Sequence, residues 1–155
     1  MGKVKTGALI VIEREQALTD YESTGINIDA IVSSELLINI FEHNTPLHDG
    51  ATVIRNYRVE LASCVLPLTQ NPDINTSYGT RHRAGIGISE ESDAVAVIVS
   101  EETGKISVAY KGDFSTGYTE DTLRRKLIDL ISINGIDVDT KGKFKMPGLS
   151  KRRNG

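Results

Sequence analysis

The chain has 155 residues, a formal charge of -3 at pH 7 and a single cysteine. Its length suits one domain with a sizeable hydrophobic core, and one cysteine excludes an internal disulfide or a cysteine-rich zinc site. The longest apolar runs, at residues 8–12 and 94–99, are far shorter than the roughly 20 residues of a membrane-spanning helix. The first residues also lack the apolar stretch of a signal peptide. We therefore expect a cytoplasmic chain, and no nucleic-acid partner because such proteins favour a basic face.

Hydrophobic patterning predicts six strands and three helices in chain order. Strands are expected at residues 7–13, 26–30, 51–55, 58–65, 93–100 and 106–110. Helices are expected from Ser33 to about residue 43, from Arg81 to Ile88 and from Thr119 to residue 134, with Thr80 as the cap of the second. A hairpin combined with helical crossovers predicts an α/β fold in a single domain, with a central mixed β-sheet flanked by helices. We expect residues 1–140 to form this domain and the basic residues 141–155 to form a flexible tail.

Asp49 lies in the segment Pro46-Leu47-His48-Asp49-Gly50-Ala51, directly before a predicted strand. A carboxylate at the mouth of a strand can hold a hard divalent metal. An Asp-Gly pair is also a common turn, so Asp49 could be only an Asx-turn residue. His48-Asp49 is also similar to the metal-binding pair of phosphohydrolases, which need further histidines, and the chain has three histidines in all.

Arg81-His82-Arg83 follows Gly79-Thr80 at the start of a predicted helix. Two cations at a helix N-terminus oppose the helix dipole, which costs a few tenths of a kcal/mol for each. A bound anion would reverse this effect, because free backbone N–H groups at that position attract phosphate. The pattern favours phosphate binding over a solvated helix start.

Other polar residues leave alternatives open. Ser100-Glu101-Glu102 follows a predicted strand and is either a plain polar turn or a source of a carboxylate for magnesium or manganese. Tyr78 and Tyr118 could stack on a base or pack within their loops. The sequence contains neither a P-loop motif nor a strand-anchored G-x-G-x-x-G motif, which excludes those two nucleotide sites.

The two motifs around Asp49 and Arg81, with Val99-Ser100-Glu101-Glu102-Thr103-Gly104 downstream, closely resemble the bacterial diadenylate cyclase (DAC) domain. The likeness runs from about residue 7 to residue 131 and is closest to the membrane-anchored type, of which this chain would be the catalytic domain. The resemblance implies that two ATP molecules condense into cyclic di-AMP with release of two pyrophosphates.

The resemblance also implies roles for individual residues. By this likeness, the catalytic residues are Asp49, Gly50 and Ala51. The nucleotide-binding residues are Leu66, Thr80, Arg81, His82, Arg83, Ser100 and Glu101. We expect Asp49, His48 and Glu102 to hold a divalent metal, Mg²⁺ or Mn²⁺. Val65 occupies a position that is aromatic in some relatives, which leaves the adenine stacking partner open.

One site holds one ATP, so we expect two copies to face each other as a homodimer and a monomer to be inactive. Relatives of this type carry membrane helices ahead of the catalytic domain, which implies a natural enzyme at the cytoplasmic face of the membrane, with membrane and regulatory protein partners. The alternative function is a non-catalytic sensor module that binds ATP or cyclic di-AMP without turnover.

Overall fold

The computed structural model describes residues 5–132, 137–138 and 144–145. The strands are β1 (Ala8–Ile12), β2 (Ile26–Ile31), β3 (Ala51–Arg55), β4 (Arg58–Cys64), β5 (Val95–Val99), β6 (Ile106–Tyr110), β7 (Asp113–Tyr118), β8 (Asp137–Val138) and β9 (Phe144–Lys145). The helices are α1 (Thr19–Glu22), α2 (Ser34–Ile40), α3 (Thr80–Glu91) and α4 (Glu120–Ser132). The chain divides into two compact units after Gly117, and β8 pairs with β9 within the second.

The main sheet has the strand order β2-β4-β3-β1-β5-β6-β7. β1 pairs in parallel with β3 and antiparallel with β5, so the sheet is mixed, as the sequence predicts. β3 and β4 form an antiparallel hairpin that turns at Asn56 and Tyr57, both of which have positive φ. Such backbone angles at both central residues are those of a type I′ turn, which matches the twist of the two strands.

Alternating side chains of β1 face two separate hydrophobic clusters. Leu9 and Val11 pack in a cluster that includes Ile86 and Ile88 of α3. Ala8 and Ile10 pack in a second cluster, which includes the buried residues Ile40 and Phe41 at the C-terminal end of α2. Because successive side chains of a strand point to opposite faces, α3 and α2 cover opposite faces of the sheet. The expected sheet flanked by helices is confirmed.

The structure corrects three local predictions. Thr80 is not the cap of its helix: α3 begins at Thr80, and the cap is Gly79, which has no side chain to donate or accept. α2 ends at Ile40 rather than near residue 43, although Ser33 caps its start by accepting from Leu36 N at 3.1 Å. β7 was not predicted, because Asp-Phe-Ser-Thr-Gly-Tyr is a largely exposed strand without a regular apolar alternation.

No helix among the described residues is long and apolar enough to cross a bilayer. The predicted tail at residues 141–155 lies outside the described residues, apart from the backbone of 144–145.

Candidate active site

A cleft of about 1220 Å³ is lined by several segments that are distant in sequence. The loop before β3 supplies residues 46 and 48–50, and the end of β4 supplies residues 63–66. The N-terminus of α3 supplies residues 79–82, and the turn after β5 supplies residues 100–103. Segments that are far apart in sequence therefore meet in one concave site, which is the usual form of a small-molecule site.

Gly50 fixes the path of the loop that carries Asp49. Its φ is +95°, a region that side chains disfavour, and an added Cβ would lie 2.8 Å from Cys64 O and 2.9 Å from Ser63 C. Ser63 Oγ donates to Pro46 O at 3.2 Å, which ties the same loop to β4. The loop therefore packs backbone to backbone against β4, and it leaves the Asp49 side chain exposed at the cleft.

His48 has one ring nitrogen engaged. Its Nδ1 lies 2.6 Å from Thr45 O. A carbonyl oxygen can only accept, so in the neutral ring the proton is on Nδ1 and the Nε2 lone pair is available. This arrangement suits a metal ligand or a hydrogen-bond acceptor.

Arg81 and Glu101 form an ion pair on the cleft wall. Arg81 Nη1 donates to Glu101 Oε2 at 3.0 Å. The turn that presents Glu101 is held by two bonds to Ser100, because Gly104 N donates to Ser100 O at 2.9 Å and Thr103 N donates to Ser100 Oγ at 3.2 Å. The pair joins the start of α3 to the end of β5.

Three aromatic rings meet beside the start of α3. The rings of Tyr78 and His82 stack with their centroids 4.7 Å apart, and Phe114 meets Tyr78 edge-on at 5.2 Å. Burial first, and the positive charge of Arg81 second, lower the pKa of His82 below its usual value of 6.5. The imidazole is therefore uncharged at neutral pH, so any cationic contribution of this motif to the cleft comes from arginine.

Ten of the predicted site residues line this one cleft. They are His48, Asp49, Gly50, Leu66, Thr80, Arg81, His82, Ser100, Glu101 and Glu102. Ala51 and Arg83 are outside this lining: Ala51 is fully buried at the start of β3, and Arg83 Nε donates to Tyr78 O at 3.2 Å. The roles assigned to these residues stay predictions, and Asp49 and the start of α3 line the same cleft.

One side of the cleft consists of residues that were not predicted. Lys105, Ser107 and Thr116 also line it, and Ser107 Oγ donates to Thr116 Oγ1 at 2.9 Å. Thr116 lies on β7, the strand that hydrophobic patterning did not identify. The hydroxyl side chains of Ser107 and Thr116 were visible in the sequence. They could be assigned to one site only once β6 and β7 were known to be neighbours in the sheet.

The donors at the cleft fit a divalent metal that arrives with a nucleotide. Within the described part of the chain, no three His, Cys, Asp or Glu side chains form a group that could hold a metal by themselves. Magnesium is usually bound by one or two carboxylates, with substrate phosphates and water as the other ligands. The exposed carboxylate of Asp49 and the carboxylate of Glu102, which lines the same cleft, match this oxygen donor set, whereas the imidazole of His48 is not part of it.

Comparisons with known proteins agree on one family. The family model described as "DisA bacterial checkpoint controller nucleotide-binding" (DAC) matches residues 1–114. The chain is 53% identical over 127 residues to the cyclic di-AMP synthase CdaA of Bacillus subtilis, covering 82% of the chain and 46% of that protein. It is 42% identical over 146 residues to a diadenylate cyclase of Listeria monocytogenes, covering 94% of the chain and 54% of that protein. The chain thus spans about half the length of these curated relatives.

The fold comparison gives the same result. The crystal structure of a double mutant of DacA from Staphylococcus aureus matches with a TM-score of 0.81 and 49% identity, covering 83% of this chain and 86% of that one. A Bacillus cereus protein described as a hypothetical membrane spanning protein matches with a TM-score of 0.74 and 43% identity, covering 76% of this chain and 58% of that one. The family match covers more than half of the sequence, and the fold and the cleft agree with it: the chain belongs to the DAC family, the diadenylate cyclase domain family.

Proposed function

We propose that this chain is the catalytic domain of a diadenylate cyclase, which condenses two ATP molecules into cyclic di-AMP and releases two pyrophosphates. The observation that carries this proposal is that Asp49 and Arg81 line the same cleft. The names of the relatives, cyclic di-AMP synthase and diadenylate cyclase, support the same reaction.

In the proposed mechanism, each ribose 3′-hydroxyl attacks the α-phosphate of the other ATP, and pyrophosphate leaves. Because Asp49, His48 and Glu102 do not form a group that could hold a metal by themselves, they would hold a magnesium or manganese ion only together with phosphate oxygens of the nucleotide and water. The ion would supply Lewis-acid polarisation of the phosphate oxygens. Asp49 would also help to activate the attacking hydroxyl. Arg81 and the free N–H groups at the start of α3 offset the negative charge that develops on the leaving pyrophosphate.

Two nucleotides must meet for this reaction, and we propose that two copies of the chain bring them together face to face. A two-fold arrangement places each nucleotide opposite the other, which makes the encounter effectively intramolecular. Specific activity should therefore fall when the enzyme is diluted below the dissociation constant of the dimer. A specific activity that is constant over a hundredfold dilution into the monomeric range would contradict the dimer proposal.

The deciding experiment is incubation with ATP and manganese, with nucleotide products separated by chromatography. The cyclase proposal expects cyclic di-AMP from the wild type, and its loss in Asp49→Asn with ATP binding retained. The matched control is Asp20→Asn, an exposed aspartate on α1 that does not line the cleft, and it should keep full activity. ATP binding without product would instead support the sensor module, and ADP or AMP as product would support a phosphohydrolase.

We also propose that residues 1–140 contain the whole catalytic domain and that residues 141–155 are dispensable for turnover. A chain that ends at residue 140 should then retain cyclic di-AMP synthesis within about twofold of the full chain. Loss of synthesis in a shortened chain that keeps its melting temperature would overturn this boundary.

We also propose that the protein is located at the cytoplasmic face of a membrane, where ATP is available. The likeness to a Bacillus cereus protein described as membrane spanning supports this location. Fractionation of the source cells, followed by detection with an antibody to this domain, should recover it with the membranes. Recovery in the soluble fraction alone would contradict this proposal.

A further inference from the structure

We infer that Gly7 is a positioning residue for the reaction, because its missing side chain leaves the space in which the Arg81 guanidinium lies. A Cβ added to Gly7 would be 2.5 Å from Arg81 Nη1, 2.6 Å from Cζ and 3.1 Å from Nε. Carbon atoms do not approach other heavy atoms this closely, so any side chain at Gly7 must displace Arg81. This inference rests on the proposed function, in which Arg81 faces the leaving pyrophosphate.

The guanidinium lies between Gly7 and Glu101. Arg81 Nη1 donates to Glu101 Oε2 at 3.0 Å, while Arg81 Nε is buried and has no hydrogen-bond partner among the described residues. Since a buried donor without a partner is unfavourable, this side-chain position is not explained by hydrogen bonding alone. The close contact with the Gly7 backbone and the ion pair with Glu101 together define the position.

Both sides of this space lie next to the ends of two central strands. Gly7 is buried and directly precedes β1, and Ala8 pairs with Val99 at the end of β5. Glu101 follows that strand end by two residues. The support for Arg81 is therefore anchored at the adjoining ends of two paired strands, which suits a precisely placed catalytic cation.

There is open space into which a displaced Arg81 side chain can move. A second cavity of about 200 Å³ adjoins it, with Gly7, Arg81 and Glu101 in its lining, and Arg81 also lines the main cleft. An alanine at Gly7 can therefore be accommodated by movement of the guanidinium. The expected consequence is a misplaced cation in a folded protein.

The test is a double-mutant cycle of Gly7→Ala and Arg81→Ala, with rates of cyclic di-AMP formation. We expect Gly7→Ala to lower kcat by about 10- to 100-fold through misplacement of a catalytic group, with less than about a threefold change in KM. In the Arg81→Ala background, the same change should alter kcat by less than about twofold, because the group it displaces is absent. An equal loss of kcat in both backgrounds would overturn the inference, as would full activity of Gly7→Ala.

A matched control separates this contact from general crowding. A Cβ at Gly85 would lie 2.8 Å from Ile98 Cδ1, so Gly85→Ala crowds a core side chain to a similar degree without touching Arg81. Its effects on kcat and on melting temperature should be the same with and without Arg81. If Gly85→Ala shows the same dependence on Arg81 as Gly7→Ala, the inference fails.

Thermal unfolding tests the same contact independently of the reaction. Gly7→Ala should lower the melting temperature less in the Arg81→Ala background than in the wild type, because the clash has been removed. If Gly7→Ala alone does not fold, the double variant should fold, and its failure to fold would overturn the inference. A wild type that makes no cyclic product would refute the proposed function, while this melting-temperature coupling would still decide whether Gly7 positions Arg81.

Discussion

Arg81 Nη1 donates to Glu101 Oε2 over 3.0 Å, so a phosphate that approaches this nitrogen competes with a carboxylate on the same cleft wall. Because Glu101 is more than half exposed, solvent screens the pair, and such pairs contribute at most about 1 kcal/mol to folding. Its main effect should therefore be on ligand binding rather than on stability.

Glu101→Gln should strengthen the binding of metal-free ATP by about two- to fivefold, because removal of one negative charge at this range is worth up to about 1 kcal/mol in a well-solvated site. Calorimetric titration in the presence of a chelator measures the affinity. Glu42→Gln, an exposed site that does not line the cleft, should leave the affinity unchanged. Weaker ATP binding by Glu101→Gln under these conditions would show that the carboxylate does not compete for Arg81.

Gly50→Ala should destabilise the fold by at least about 2 kcal/mol, because it combines a positive φ with a Cβ placed 2.8 Å from Cys64 O. Urea denaturation measures the free energy of unfolding. Gly79→Ala is the matched control: its added Cβ has no atom within 4 Å and its φ is -85°, so its cost should stay below about 1 kcal/mol. Equal stabilities for the two variants would contradict the backbone contact seen at Gly50.

Tyr78 should contribute to stability through its ring rather than its hydroxyl. It stacks on His82 and meets Phe114 edge-on, and aromatic pairs add about 0.5–1.5 kcal/mol beyond the burial of area. Tyr78→Ala should therefore cost about 1–3 kcal/mol, whereas Tyr78→Phe should stay within about 0.5 kcal/mol of the wild type. Urea denaturation of both variants measures the free energy of unfolding. A large loss of stability in Tyr78→Phe would show that the hydroxyl, and not the ring, makes the main contribution.

Protonation of His82 should lower the free energy of unfolding of the protein below neutral pH. Its pKa is lowered in the folded state, mainly by burial, so between that pKa and the unfolded value of about 6.5 the unfolded chain binds more protons than the folded one. The free energy of unfolding must then fall as pH falls through this window, and this contribution levels off below the folded pKa. His82→Phe, which keeps an aromatic ring at the stack, should reduce this slope. An unchanged pH dependence in His82→Phe would assign the effect to other groups.

Local chemistry was enough to predict much of the fold. The apolar, β-branched run of β1, the hairpin turn at Asn56 and Tyr57, and the Ser33 cap of α2 depend on neighbouring residues, and all three are observed. Hydrophobic patterning also identified the central strand β5, although the observed strand, Val95–Val99, is shorter than the predicted one at residues 93–100. The motifs around Asp49 and Arg81 pointed to one site, and both line one cleft.

The remaining features depend on contacts between distant residues. β7 is a largely exposed strand whose polar composition matches no apolar alternation, and it is defined by its place beside β6 in the sheet. The role of Gly7 could not be predicted, because a glycine before a buried strand gives no sign that an arginine lies against it. The start of α3 shifted by one residue because the backbone of Gly79 served as the cap where a hydroxyl was expected.

The placement of β1 has a consequence for how the protein is made. This first strand pairs with β3 and with β5, and its antiparallel partner lies at Val95–Val99. Pairing of segments so distant in sequence is slow. A growing polypeptide can form the β3–β4 hairpin early, whereas the β1–β5 pairing next to Gly7 can form only after β5 has left the ribosome. A nascent chain should therefore acquire its nucleotide site late in synthesis.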